Sequence, residues 1–548
     1  MSSITRRSLV TGSLAGSALA ALAACGYNTP PTAGSTPGAV GSSAPNAAGG
    51  KELARIVLAT KMSELADLHP HSARSSRALA LLNHVSEGLT KFNPDFSVGP
   101  GLATKWTVSP DGLTYTFELR QGVKWHDGSG VTGDDVKFSF DAAMAADSKA
   151  PSKATLSAYV SSVAINGTTA VLTLKKAYAP LLSVLAGQVP ILPKAILGSN
   201  PALASFGTQP VGTGPYKVGK RDLSTLTIER HADYWGTKPK IATIVMFDST
   251  DPAAQYAGML TGQIDVVEYD PNAMGDIASK GGKLWVGAAG SVHGICLDLQ
   301  NPALADLKVR QAMRLGLDRA RIKAAGYPTG TAAEALVSTA FGKLTTTLPA
   351  INRDVAAANK LLDEAGWIKG ADSIRAKNGT PFKIIHHTWP AKQWQDMATV
   401  AQANWKELGI DVQLTTIENA RITDVLSAKY DAAPLGWGLT ANPLVGLNML
   451  LHTTTSTYKQ GGTFNVFHYS NPNVDKLLDE VLATADEAKQ ADLAKQIQQI
   501  AYDDVPFIPI AYPAYQLAAK TAVALDETGM GGLSGVGQGW FMDRWSGA

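Results

Sequence analysis

Between residues 113 and 119 the chain alternates strictly, with Leu113, Tyr115, Phe117 and Leu119 apolar and Thr114, Thr116 and Glu118 polar between them. A period of two collects the apolar set on one face of a strand and predicts a sheet with one side buried. Ala170, Leu172 and Leu174 repeat the pattern. Further on the period changes. Val474, Leu477, Leu478, Val481 and Leu482 fall at i, i+3, i+4, i+7 and i+8, which is the stripe of an amphipathic helix. Asn471 is its expected N-cap and Pro472 its first helical residue, where a missing N–H costs nothing. Thr132-Gly133-Asp134-Asp135 has the spacing of a capping box, with Asp in place of the usual Glu, ahead of Val136-Lys137-Phe138. From Lys51 onward strand and helix patterns alternate without an internal repeat, so the expected fold class is mixed α/β.

At 548 residues the chain exceeds one ordinary hydrophobic core, and two or three lobes are expected. Lys and Arg number 48 against 46 Asp and Glu, a balance that leaves no electrostatic footprint for nucleic acid. The chain has 11 Trp, which serve core packing or line an apolar ligand pocket. Its two cysteines are Cys25 and Cys296. Cys296 stands in the apolar run Gly294-Ile295-Cys296-Leu297 and is expected to be a small buried hydrophobe without chemistry.

The N-terminus is an address. Thr5-Arg6-Arg7-Ser8 opens a basic region, followed from Leu9 to Ala24 by small and apolar residues. That run is shorter than the roughly 20 residues of a bilayer span and fits a signal peptide over 1–24. Leu22-Ala23-Ala24-Cys25-Gly26 resembles the lipobox of bacterial lipoproteins, which implies cleavage before Cys25 and diacylglycerol on its thiol. Arg6-Arg7 also resembles a twin-arginine signal, so both export routes stay open. Tyr27 to Gly50 carries no charge and is rich in Pro, Gly, Ser, Thr and Ala, so 25–50 reads as lipidated Cys plus flexible linker. No later stretch is long and apolar enough to span a bilayer.

The body carries more specific segments. Gly101 to Trp106, Ser109 to Phe117 and Leu119 to Gly128 run together into Asp134-Asp135-Val136. Gly212-Thr213-Gly214-Pro215-Tyr216, Tyr234-Trp235-Gly236, Val309 to Met313 with Asp318-Arg319, and Leu361 to Trp367 follow. Leu408 to Val412, Asn471 to Leu478, and Asp504-Val505-Pro506-Phe507-Ile508-Pro509 complete the series. In this order they resemble the peptide/nickel-type extracellular solute-binding proteins (family 5), and the likeness covers nearly everything from residue 51 to about 515. The resemblance implies a periplasmic-binding-protein-like fold of the cluster C type, two lobes with a hinge plus an extra domain. Lobe I would comprise 51–86, 208–291 and 516–548, the additional domain 87–207, and lobe II 292–515. It further implies a substrate-binding lipoprotein of an ABC importer, working as a monomer with no cofactor. Its partners would be a small solute, most readily a peptide, and the ABC permease and its ATPase, with the membrane reached through the lipid anchor.

Other motifs look like chemistry. Gly214-Pro215-Tyr216-Lys217-Val218-Gly219-Lys220-Arg221 matches most of a P-loop but lacks the Ser/Thr that would hold Mg²⁺. It is expected instead to be a turn in which the glycines supply unusual φ and Tyr216 starts a strand. His69 and His71 would share a face if extended, which leaves a metal reading open beside the hydrogen-bonded one. His386 and His387 are adjacent and point to opposite faces of a strand. Asp503-Asp504, near a helix C-terminus, is assigned to solvation. No G-x-S-x-G, H-E-x-x-H or C-x-x-C occurs, so the expected protein is not an enzyme. A secreted hydrolase using two carboxylates is the alternative, because spacing alone does not reveal such a pair.

In peptide-binding relatives a Trp after a Tyr-Asp-Ala run is followed by an acidic residue and a Pro, and the acid pairs with the ligand's ammonium. Here Tyr430-Asp431-Ala432 leads to Trp437 and Pro443, but Thr440, Ala441 and Asn442 occupy the acidic position. None is an anion. That departure opens blocked peptides, sugars and other neutral solutes beside free peptides, with a nickel chelate a further alternative on resemblance. Candidate ligand contacts are Trp437 as a stacking wall, Asn442, Trp389 and His387, and Met62-Ser63 in the first loop, with His293 beside the hinge weaker.

Overall fold

The chain enters the body as an eight-residue strand, β1 (Leu53–Thr60), in which Ile56, Leu58 and Ala59 are buried. In this computed structural model residues 50–548 are described, except 74, 95, 199, 289, 419–429, 439–441, 456–464 and 527–540. The signal peptide, Cys25 and the linker up to residue 49 lie outside them. Helix α1 (Ser76–Val85) follows, its first turn capped by the Ser75 side chain, which accepts from the Ala78 N–H.

The chain then builds a separate sheet. Strands β2 (Ala103–Val108) and β3 (Thr114–Leu119) precede α2 (Gly133–Met144) and α3 (Lys153–Tyr159). Strands β4 (Val160–Asn166) and β5 (Thr169–Leu174) and helix α4 (Leu181–Gly187) complete the excursion. The four strands are antiparallel in the order β2-β3-β5-β4. The predicted alternation is realised: Tyr115, Phe117, Ala170, Leu172 and Leu174 are buried in one core with Val136 and Phe140 of α2. The Asp135 carboxylate accepts from the Thr132 N–H and hydroxyl at 2.8 Å each, so Asp does the work of the usual Glu.

Strands β6 (Tyr216–Arg221), β7 (Thr225–Arg230), β8 (Ile241–Asp248), β9 (Val266–Glu268) and β10 (Gly282–Ala288) return to β1. The second large sheet starts at β11 (Ser291–Leu297) and continues through α5 (Leu307–Gly316), β12 (Thr331–Ala332), β13 (Lys383–Thr388), α6 (Lys392–Glu407), β14 (Asp411–Thr416) and β15 (Ala432–Gly438). Helices α7 (Pro443–Leu451), α8 (Pro472–Ala483) and α9 (Glu487–Asp504) precede β16 (Phe507–Tyr512). Then β17 (Ala514–Lys520) rejoins the first sheet.

Strand order is β10-β17-β9-β1-β8-β7-β6 in the first sheet and β12-β16-β11-β15-β13-β14 in the second. The chain therefore passes between the sheets twice, from β10 to β11 and, through Pro513, from β16 to β17. The passages lie side by side, because Ala288 pairs with Ala514 on one bank and His293 with Ala511 on the other. The architecture is two-lobed. Asn471 caps α8 by accepting from the Asn473 and Val474 N–H groups, with Pro472 first in the helix, as its sequence predicts. Asp504 is not merely solvated. Its carboxylate accepts from the Tyr469 hydroxyl at 2.5 Å and the Asn471 amide at 3.0 Å, tying the end of α9 to the start of α8.

The segments Leu119 to Gly128, Gly212 to Tyr216 and Tyr234 to Gly236 converge where α1 meets the four-stranded sheet. Gly212 N–H donates to His126 Nδ1 and His126 Nε2 faces the Gly214 carbonyl, both at 3.1 Å. Glu87, just past α1, accepts from Thr213 Oγ1 (2.9 Å), Tyr234 OH (2.9 Å) and Trp235 Nε1 (2.8 Å). Gly214 and Gly219 are not at positive φ, contrary to expectation, and neither is Gly212. Close approach is what requires Gly212 and Gly214. A methyl group would lie 1.8 Å from the Val85 carbonyl oxygen at Gly212, and 2.2 Å from that of His84 at Gly214. Tyr216 does start a strand, β6.

Candidate functional site: the seam between the lobes

The parallel strands of both sheets aim their carboxyl ends at the two passages, the edge where open α/β sheets offer ligands a crevice. Strand β1 pairs in parallel with β8, and β13 in parallel with β14 and β15. Met62 and Ser63 follow the end of β1. Met62 is buried in the first-sheet core and its N–H donates to Asp248 Oδ1 at 2.9 Å, whereas Ser63 is exposed. His387 and Trp389 lie at the end of β13, and Trp437 lies near the end of β15 opposite Val292.

Within this edge the candidates differ in what they offer. Trp389 is 3% exposed and its indole N–H donates to the Pro434 carbonyl at 3.0 Å, so it fastens β13 to β15. His387 is also buried. Trp437 is half-buried, packed on one side against the core. Asn442 caps α7 by accepting from Leu444 N–H at 3.0 Å, and its amide donates to Ser183 Oγ of α4 at 3.2 Å. Thr440 and Ala441 fall outside the described residues.

The histidines are held by protein. His293 accepts or donates at 3.0 Å to the Tyr327 hydroxyl, stacks on Trp394 at 4.8 Å, and leaves room only for glycine at position 436. Burial pushes its pKa down to about 4. His69 and His71 lie in a turn, not an extended segment, with their Nε2 atoms against the carbonyls of Pro201 (2.8 Å) and Pro190 (3.4 Å). His386, buried against Trp405, is likewise pushed down to about 4 by desolvation.

A cavity of about 550 Å³ opens where three parts of the molecule meet. One wall is α1, with Leu79, Leu82, Asn83 and Ser86; a second is the four-stranded region, with Thr155, Tyr159 and Tyr178; the third is α7, with Val445, Asn448 and Met449. Tyr159 and Tyr178 stack at 3.9 Å. The four-stranded region is tied directly to α8, which also lines the cavity, because the Ala179 N–H donates to the Leu482 carbonyl at 2.8 Å. This is a volume suited to a drug-sized solute.

Sequence reasoning missed this cavity, although α7 held a signal. Pro443–Leu451 is apolar on both faces except for Asn448, so both faces call for cover. Leu444, Leu447, Leu450 and Leu451 fill the core, and Val445, Asn448 and Met449, at i, i+3 and i+4, face the cavity. Glu87 lies close by. Desolvation pushes its pKa up, while Lys91 and its three hydrogen-bond donors oppose that shift.

Residues 97–458 match the family model for bacterial extracellular solute-binding proteins, family 5 Middle, and the chain belongs to that family. It is 29% identical over 433 residues to Protein XP55 of Streptomyces lividans, with 76% of each chain covered. Over 461 residues it is 29% identical to the dipeptide-binding protein of Escherichia coli (strain K12), covering 76% of this chain and 82% of that one. Among solved structures it resembles NikZ from Campylobacter jejuni in complex with Ni(L-His), with a TM-score of 0.76 and 25% identity over 90% of this chain and 99% of that one. Among the described residues no helix is long and apolar enough to cross a membrane.

Proposed function

We propose that this chain captures a small solute between its lobes and passes it, chemically unaltered, to an ABC permease. The observation that carries the reading is the cavity walled by α1, the four-stranded region and α7, since a solute there touches every part of the body at once. Closure then follows from ligand contacts that exist only in the closed state. Lobe I is 51–86 with 208–291 and 516–548, the additional domain 87–207 and lobe II 292–515, with the hinge seams at the β10–β11 and β16–β17 passages. The dipeptide-binding relative makes a peptide the first class to test. The absence of an acid at Thr440, Ala441 and Asn442 favours a second reading, a non-peptide or end-blocked solute.

Native mass spectrometry of freshly purified protein is expected to show a retained small molecule that leaves intact. Turnover of peptides or glycosides on incubation would establish the hydrolase alternative instead. The anchor is proposed at Cys25, with the mature monomer tethered to the outer face of the cytoplasmic membrane. Cys25→Ser is expected to release the protein into the soluble fraction, and persistent membrane association would remove the anchor from the reading.

A further inference from the structure

Among the described residues that line the 550 Å³ cavity there is no Asp, Glu, Lys, Arg or His. Its walls are Leu, Val, Met, Pro, Ala, Gly and two stacked tyrosines, with a few uncharged polar groups. An ion placed there would lose its hydration and find no lining residue of opposite charge, whereas apolar surface gains by entering.

Two polar atoms stand apart. Asn83 Nδ2 and Ser86 Oγ are buried and lack a hydrogen-bond partner among the described residues. Ser86 is 7% exposed. The two residues are three apart at the end of α1, so they share a face. They line both this cavity and a smaller one of about 230 Å³ beside it. The acids of that smaller cavity are already engaged, Glu87 by three donors and Asp543 by His84 at 3.4 Å. Buried donors left unpaired in the protein mark a place where an acceptor belongs.

We infer that the cavity takes an uncharged, largely apolar solute, oriented by an oxygen acceptor at Asn83 Nδ2 and Ser86 Oγ. A peptide fitting this site has blocked or cyclised ends. The inference rests on the binding reading above and narrows it.

The test uses a matched pair of fluorescent probes, neutral N-phenyl-1-naphthylamine and its anionic counterpart 8-anilino-1-naphthalenesulfonate, titrated into the full-length protein. The neutral probe is expected to bind saturably, one per chain, at least ten-fold more tightly than the sulfonate. Val445→Trp, which fills the cavity from α7, is expected to abolish that binding; Thr155→Trp does the same from the opposite wall should the first variant fail to fold. Equal or tighter binding of the sulfonate, or a folded filled-cavity variant that still binds the neutral probe, would overturn the inference. The molecule retained in native mass spectrometry supplies the second arm. An uncharged compound, lost on Asn83→Ala with Ser86→Ala, supports the proposal. A zwitterion, metal chelate or other ion overturns it and leaves solute binding standing. Absence of both a retained molecule and saturable probe binding sinks the binding reading itself.

Discussion

His126 is engaged at both ring nitrogens, and the arrangement fixes its chemistry. Because Nδ1 accepts from the Gly212 N–H, the ring proton sits on Nε2 and points to the Gly214 carbonyl. Burial pushes its pKa down to about 4. His126→Phe leaves a buried amide without its partner, and is expected to cost about 1–3 kcal/mol in urea unfolding. Glu87 carries the opposite sign. Its folded pKa is raised by desolvation, so the folded state binds the proton more tightly than the unfolded chain. Its contribution is therefore present at low pH and lost as pH rises above the ordinary value of 4.5. Glu87→Gln removes that dependence, so its Tm relative to wild type is expected to climb with pH above 4.5; a constant difference would contradict this account. Tyr159→Ala, at the stacked tyrosine pair that lines the cavity, is expected to weaken binding of the retained solute by about 1–3 kcal/mol in calorimetry, through lost stacking and burial.

At the scale of elements, α7 links the seam to the cavity. Asn442→Ala removes both the helix cap and the tie to Ser183, and is expected to destabilise the protein by about 1 kcal/mol in denaturant unfolding. Gly214→Ala presses a methyl group into the end of α1 and costs more, ~1–3 kcal/mol or unfolding outright, read by the same measurement. What could be read from the chain follows the range of the interaction. The Asn471–Pro472 cap, the Thr132–Asp135 box and the alternation of β3 are set by neighbours within a few residues, and each appears as its local pattern predicts. The Glu87 hub joins residues 126 to 148 positions apart, and no local periodicity encodes it. The sequence pattern assigns Gly214 to unusual φ because only conformation is visible there; the carbonyl it makes room for belongs to α1. The cavity was hidden for the same reason, its walls coming from three distant stretches. Resemblance supplied the lobes, and Trp437 at the seam, but not the lining.

For the whole molecule, acid stability follows from its buried imidazoles. His71, His126, His293 and His386 are each lowered from 6.5 to about 4, chiefly by desolvation. Each is more basic in the unfolded chain, so its share of stability is full above pH 6.5 and lost as pH falls toward about 4. The loss is roughly 1.4 kcal/mol per pH unit for each such histidine across that window. Urea midpoints are expected to fall between pH 7 and pH 5, and His386→Leu to flatten the slope; an unchanged slope would mean that His386 is charged inside the fold.

In the proposed capture cycle the paired passages also govern timing. One contains Gly290, the most permissive of residues, and the other is Pro513 alone, whose φ is locked and which has no N–H to give a ladder. Laid parallel, they are expected to act as the spine of a book, free to bend about one line and stiff against twisting. A guest held among three walls is expected to depart when the covers part, so its residence time would belong to the binding of the book more than to the page it lies on.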